Sequence, residues 1–123
     1  MTDRKAKGRS AYLHGVTAED VAARLYTDRG AEVLARRMRN DAGEVDLIVR
    51  EGQVFVFVEV KARRGRDAAA ASLSKAQMAR LGAASEIWMA DHAPNADMRF
   101  DVVLTDRNGG AEIIENALQF DGI

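Results

Sequence analysis

Between Gly15 and Arg29 the apolar residues Val16, Ala18, Val21, Ala22, Leu25 and Tyr26 recur at helical spacing, which predicts an amphipathic helix. Thr17 is placed to cap it, Glu19 and Asp20 fall in the first turn where carboxylates complement the helix dipole, and Gly30 is a natural stop. Ala31 to Met38 reads as a strand, closed by the turn Asn40-Asp41-Ala42-Gly43. Two strand-like runs follow, Glu44 to Arg50 and Val54 to Lys61, with Gly52-Gln53 between them. Gly-X at that place is the chemistry of a two-residue type II′ hairpin turn. After a basic, alanine-rich segment from Ala62 to Ala71, expected to be mobile, Ser72 is placed to cap a long helix from Leu73 to Ala90. Leu73, Ala76, Met78, Leu81, Ile87 and Trp88 would lie on or near its buried face. Asp91 to Asp97 is a loop, Met98 to Thr105 a fourth strand, Asn108-Gly109-Gly110 a turn, and Ala111 to Glu115 a short fifth strand.

The expected order is therefore α-β-β-β-α-β-β, in one domain over residues 15–120 that follows a flexible basic tail over residues 1–14. The second and third strands are apolar on both faces, so the sheet should be covered by helices on both sides. A chain of 123 residues is long enough for one such core. No apolar run approaches the roughly 20 residues of a membrane span, and no hydrophobic stretch follows the basic N-terminus as in a secretory signal. The absence of cysteine excludes disulfides and thiolate metal sites and fits a cytoplasmic location. His14 and His92 are too few and too far apart for a zinc site.

A net charge of −1 argues at first against a nucleic-acid partner. The distribution argues the other way. Arg4, Lys5, Lys7 and Arg9 form one basic cluster, Arg36, Arg37 and Arg39 a second, and Lys61, Arg63, Arg64 and Arg66 a third. Such clusters can bind phosphate locally on a neutral domain, although each also reads as a solvated loop or tail.

The candidate chemistry lies on the hairpin. If Gly52-Gln53 is its turn, facing partners lie symmetrically about that pair, so Asp46 faces Glu59 and Lys61 shares the face of Glu59. Carboxylates about 5 Å apart at Cβ repel by roughly 3 kcal/mol at an effective dielectric of about 20. Lys61 offsets part of this, and a divalent cation would offset more. An all-oxygen donor set suits Mg2+ or Mn2+ rather than zinc. The same residues also admit an ordinary cross-strand ion pair, or a register in which the carboxylates never meet.

An Asp on one strand and Glu-x-Lys on the next, after an acidic helix, resembles the PD-(D/E)xK nuclease superfamily. More narrowly, Gly43-Glu44-Val45-Asp46-Leu47-Ile48, Phe57-Val58-Glu59-Val60-Lys61 and Arg99-Phe100-Asp101-Val102-Val103 resemble the YraN-like family of small bacterial endonuclease-like proteins. The Gly15…Glu19 opening and Lys75 match the same layout, and the likeness spans Gly15 to Thr105. One departure is Val45, where the superfamily has a loosely kept proline before the Asp. The resemblance implies a restriction-endonuclease-like mixed β-sheet flanked by helices. It also implies metal-dependent hydrolysis of phosphodiester bonds in DNA, with branched or damaged DNA among the substrate forms. Asp46 and Glu59 would be the metal-binding carboxylates, the Val60 carbonyl and Glu19 further ligands, and Lys61 the residue beside the attacking water. Arg63, Arg64, Arg66 and Lys75 would contact nucleic acid, with Mg2+ or Mn2+ as cofactor. Many nucleases of that fold act as homodimers, yet no self-complementary patch is legible here.

Other readings stand beside these. A module that keeps the fold and binds nucleic acid or a partner without cleaving fits the same motifs, and so does an adaptor with an ion-paired rim. Glu19 serves a helix dipole equally well, and Lys75 and Gln77 fit exposed helix positions. Asp101 is expected to pair with Arg99 in a structural role, Glu44 to be exposed, and Tyr26 and Trp88 to be core residues.

Overall fold

The computed structural model describes residues 17–62, 73–106 and 110–117. The basic tail over residues 1–14, Arg63, Arg64, Arg66, Ser72 and the Asn108-Gly109 part of the expected turn lie outside the described residues. The elements are α1 (Thr17–Asp28), β1 (Glu32–Asn40), β2 (Gly43–Glu51), β3 (Val54–Ala62), α2 (Lys75–His92), β4 (Asp97–Thr105) and β5 (Ala111–Ile114). This is the α-β-β-β-α-β-β order that the sequence pattern predicts. The strands form one mixed sheet in the order β1-β2-β3-β4-β5. Every neighbouring pair is antiparallel except β3 and β4, which are parallel and joined through α2, the long crossover that a parallel pair requires.

Local chemistry sets the boundaries. α1 stops at Gly30, whose φ of +90° only glycine adopts freely; its amide bonds the Thr27 carbonyl, and the Ala31 amide bonds that of Tyr26. The β2–β3 hairpin turns at Gly52, with φ of +60°, while Gln53 keeps a negative φ. That combination is the II′ type, which matches the twist of the flanking strands. Its register runs from Glu51 opposite Val54 to Leu47 opposite Val58, as the turn placement requires.

α2 corrects one expectation. Its N-cap is Ser74, whose hydroxyl accepts from the Gln77 amide at 3.0 Å while the Gln77 side chain accepts from the Ser74 amide at 2.8 Å. This reciprocal capping box satisfies two orphan donors at once, so the helix opens at Lys75 rather than Leu73. Its buried face is Leu81, Ala84, Ser85 and Met89. Ala76 is exposed and Ile87 is 42% exposed, so these two do not belong to that face.

Two cores sit on opposite faces of the sheet. Beneath α1, Ala22, Ala23 and Tyr26 pack on Leu47, Val49, Val56, Val58 and Val103. Beneath α2, Leu81, Ala84 and Met89 pack with Val45, Ile48, Phe57, Val102 and Leu104. Trp88 joins the second core through Phe55 and Phe57, each with ring centroids 5.8 Å away. α2 lies close to the β1–β2 turn: a Cβ on Gly43 would come within 3.3 Å of the Arg80 carbonyl oxygen, and the Asn40 side-chain amide donates to the Ala84 carbonyl at 3.0 Å.

The first core encloses a charge. Asp101 is fully buried, accepting from the Tyr26 hydroxyl at 2.7 Å, from Arg99 through two bonds of 2.9 Å, and from the Asn116 amide at 2.9 Å. Burial and the Asp101 carboxylate together push the Tyr26 phenol well above its ordinary range. Arg99 passes the network on to Glu51, which Arg29 also holds. Asp101 thus pairs with Arg99 as expected. Each oxygen of the buried carboxylate accepts two hydrogen bonds, the condition under which a buried charge is tolerated.

Candidate functional site

The sheet forks at Asp46. β3 stays paired with β4 as far as Ala62 opposite Thr105, but it pairs with β2 only as far as Leu47 opposite Val58. On the other side, the β1–β2 register steps from Arg36 opposite Leu47 to Met38 opposite Val45, passing over Arg37 and Asp46. Residues two apart on a regular strand share a face. Here Leu47 belongs to the core under α1 and Val45 to the core under α2. The backbone of β2 therefore rotates at Asp46, and the residue is released from strand pairing on both sides.

What holds Asp46 instead is β3. Its Oδ2 accepts from the Val60 amide at 2.8 Å. In an extended strand the amide and carbonyl of one residue point to the same neighbour, so the Val60 carbonyl also faces β2. The Asp46 carboxylate and the Lys61 charge both act on the Glu59 carboxyl, in opposite directions. Burial first, then the bond and charge of Asp46, push the Glu59 carboxyl up to about 8, against the lowering effect of Lys61. Two half-buried acids thus share a space that favours one negative charge over two. The Lys61 carbonyl, on the β4 side, accepts from the Thr105 hydroxyl at 3.4 Å.

The structure therefore brings Asp46, Glu59, Val60 and Lys61 together. Glu19 takes a different place: its Oε1 accepts from Arg37 Nε at 2.8 Å, on the β1 side of Asp46. Among the described residues no three Asp, Glu, His or Cys side chains converge to hold an ion. The donor set at the fork is the Asp46–Glu59 pair with the adjacent Val60 carbonyl. Lys75 is exposed in the first turn of α2. Among the described residues, no helix is long and apolar enough to cross a membrane.

Arg37 is the residue that the sequence pattern did not single out for the site. Its φ is 51°, inside a strand. The left-handed region costs a residue with a Cβ about 1–2 kcal/mol. Asn116, the other non-glycine residue with positive φ among the described residues, is of a type that tolerates it. The hydrogen bond and charge of Glu19 raise the Arg37 pKa, and the charges of Glu44 and Asp46 add to this. Its neighbours pair similarly, Arg36 with Asp20 and Arg39 with Glu44.

Residues 18–105 match the family described as "Uncharacterised protein family UPF0102". A UPF0102 protein of Azorhizobium caulinodans is 44% identical across 98% of this chain and 94% of its own length. One of Cereibacter sphaeroides is 48% identical across 89% of this chain and 96% of its own length. A third, of Dinoroseobacter shibae, is 41% identical across 92% of this chain and 86% of its own length. The matched residues contain Gly43–Ile48, Phe57–Lys61 and Arg99–Val103, the segments that carry the YraN-like resemblance, and the chain belongs to the UPF0102 family.

Proposed function

We propose that this protein is a metal-dependent nuclease that hydrolyses phosphodiester bonds in DNA. The observation that carries the reading is the meeting of Asp46 and Glu59 at the fork between β2 and β3, with Lys61 acting on the same carboxyl. A pair of acids whose combined charge is disfavoured has a use for a hard cation, and its oxygens suit Mg2+ or Mn2+. Asp46 and Glu59 would hold that ion, with the Val60 carbonyl as the adjoining oxygen. Such an ion, when bound, lowers the pKa of a ligated water and neutralises charge on the phosphoryl oxygens.

The residues of the chain do the rest. The Val60 amide fixes one oxygen of Asp46, which leaves the other directed by a rigid strand pair rather than by a mobile side chain. Lys61, on the same face as Glu59, orients the attacking water and stabilises the charge that develops on the phosphoryl group. In the displacement the water oxygen bonds to phosphorus while the bond from phosphorus to the sugar oxygen breaks on the opposite side; the water gives up one proton to solvent, and the departing sugar oxygen takes one up to become the hydroxyl. Lys75, together with Arg63, Arg64 and Arg66 beyond Ala62, would contact phosphates and position the strand without reading its sequence.

The test is cleavage of a panel of linear, nicked and branched DNA by the purified protein with Mg2+ or Mn2+. Wild type should cut at least one substrate. Asp46→Asn and Lys61→Met should lower the rate by about 100-fold or more while keeping the wild-type circular dichroism spectrum. Undiminished cutting by either variant would sink the proposal, and so would wild type inert on every substrate.

A further inference from the structure

We propose that Arg37 is a phosphate-binding residue of this site, clamped at the β1 side of Asp46 by Glu19 so that its guanidinium meets a nucleic-acid phosphodiester at the rim of the fork. The inference rests on the nuclease reading for the identity of the ligand, but its own support is geometric. β2 lies between β1 and β3 in the sheet, so Arg37 and Lys61 flank Asp46 from its two neighbouring strands.

The backbone of Arg37 is held in the left-handed region, at a strand position where no turn requires it. Strain of this kind persists where the surroundings over-determine it, and it gathers at functional sites. At Arg37 the conformation coincides with the break in pairing that frees Asp46. The guanidinium is also engaged in an unusual way. Arg36 meets its acid through Nη1, Arg39 and Arg50 through Nη2, and Arg29 and Arg99 through Nε and Nη2 together. Arg37 alone among these uses Nε by itself, and among the described residues no hydrogen bond engages its terminal nitrogens. Those two nitrogens form the fork that matches phosphate oxygens. The side chain is 59% exposed while that of Glu19 is 19% exposed, so the anchor is the more buried partner and the cation reaches solvent.

The left-handed φ makes a clean test available, because asparagine accepts it better than arginine does. Arg37→Asn should therefore melt no lower than wild type. Binding to a DNA duplex in Ca2+, with cleavage suppressed, should nevertheless weaken several-fold at low salt. The slope of log Kd against log salt should become shallower by about one. Where cleavage is measured, KM should rise with kcat nearly unchanged, and Arg37→Lys should recover part of the loss. The double variant Glu19→Gln/Arg37→Asn should bind as weakly, which removes repulsion by an abandoned Glu19 as the cause. Unchanged Kd and salt slope in Arg37→Asn would overturn the proposal, as would wild type that binds no DNA. A wild type that binds DNA through Arg37 but never cuts would instead refute the nuclease reading and leave the phosphate contact standing.

Discussion

Glu59 keeps its proton into the neutral range because its carboxyl is buried and faces Asp46. The folded state then binds more protons than the unfolded state from the ordinary carboxyl value of 4.5 up to about 8. Stability therefore falls as pH rises through that window, since deprotonation places a second charge beside Asp46. Glu59→Gln cannot make that charge. It should remove the downward slope and melt several degrees above wild type at pH values past about 8, with the two proteins converging in mild acid. Thermal melts between mild acid and mild alkali measure this, and parallel pH profiles would refute it. Mg2+ added at the alkaline end should raise the melting temperature of wild type more than that of Glu59→Gln. The turn and the register from Glu51 opposite Val54 to Leu47 opposite Val58 were legible in the sequence because a two-residue turn fixes register, but Asp46 does not pair with Glu59 in the ladder, and its carboxylate accepts from the Val60 amide instead. The Arg99–Asp101 pair was legible for a similar reason, two residues apart on one face. The bond from Tyr26 to Asp101 spans 75 residues, and no local pattern announces it. Nor does a periodicity show that Arg37 will turn left-handed, because the release of β2 from both neighbours is a property of three strands together.

At the scale of elements, the order of helices and strands followed from period alone, while the start of α2 did not. Ser72 and Ser74 both precede an apolar helical pattern, and a lone serine cannot decide between them. Gln77 decides, because only Ser74 stands three residues before a side chain able to reach back to its amide. Once the helix opens at Lys75, its phase follows Leu81, Ala84, Ser85 and Met89, and Ala76 and Ile87 turn outward. Ser74→Ala should cost about 1 kcal/mol, within a range of roughly 0.5–2. Ser72→Ala should leave stability within about 0.5 kcal/mol of wild type. Urea denaturation of the two variants side by side separates the caps, and equal losses would place the helix start elsewhere.

For the whole molecule, the central question is whether two cores on opposite faces behave as one. β3 supplies Val56 and Val58 to the layer under α1 and Phe57 to the layer under α2. Neither layer can be peeled away without uncovering a face of the same strands, so loss of one should carry the other with it. Nature has placed a reporter on one side: Trp88, the only tryptophan, stands against Phe55 and Phe57 in the α2 layer. Tyr26 lies on the other side, against Asp101. Tyr26→Phe keeps the ring but leaves a buried carboxylate short of one donor, which should cost about 1–3 kcal/mol. In a cooperative domain the fluorescence of Trp88, across the sheet from the substitution, must register that whole loss. Its urea midpoint should fall together with the midpoint seen by far-ultraviolet circular dichroism, and by the same amount. A tryptophan transition that stays in place while the dichroism midpoint falls would mean that the layers unfold separately. The fork at Asp46 could then open without unfolding the α2 face, and its geometry would no longer inherit the stability of the entire sheet.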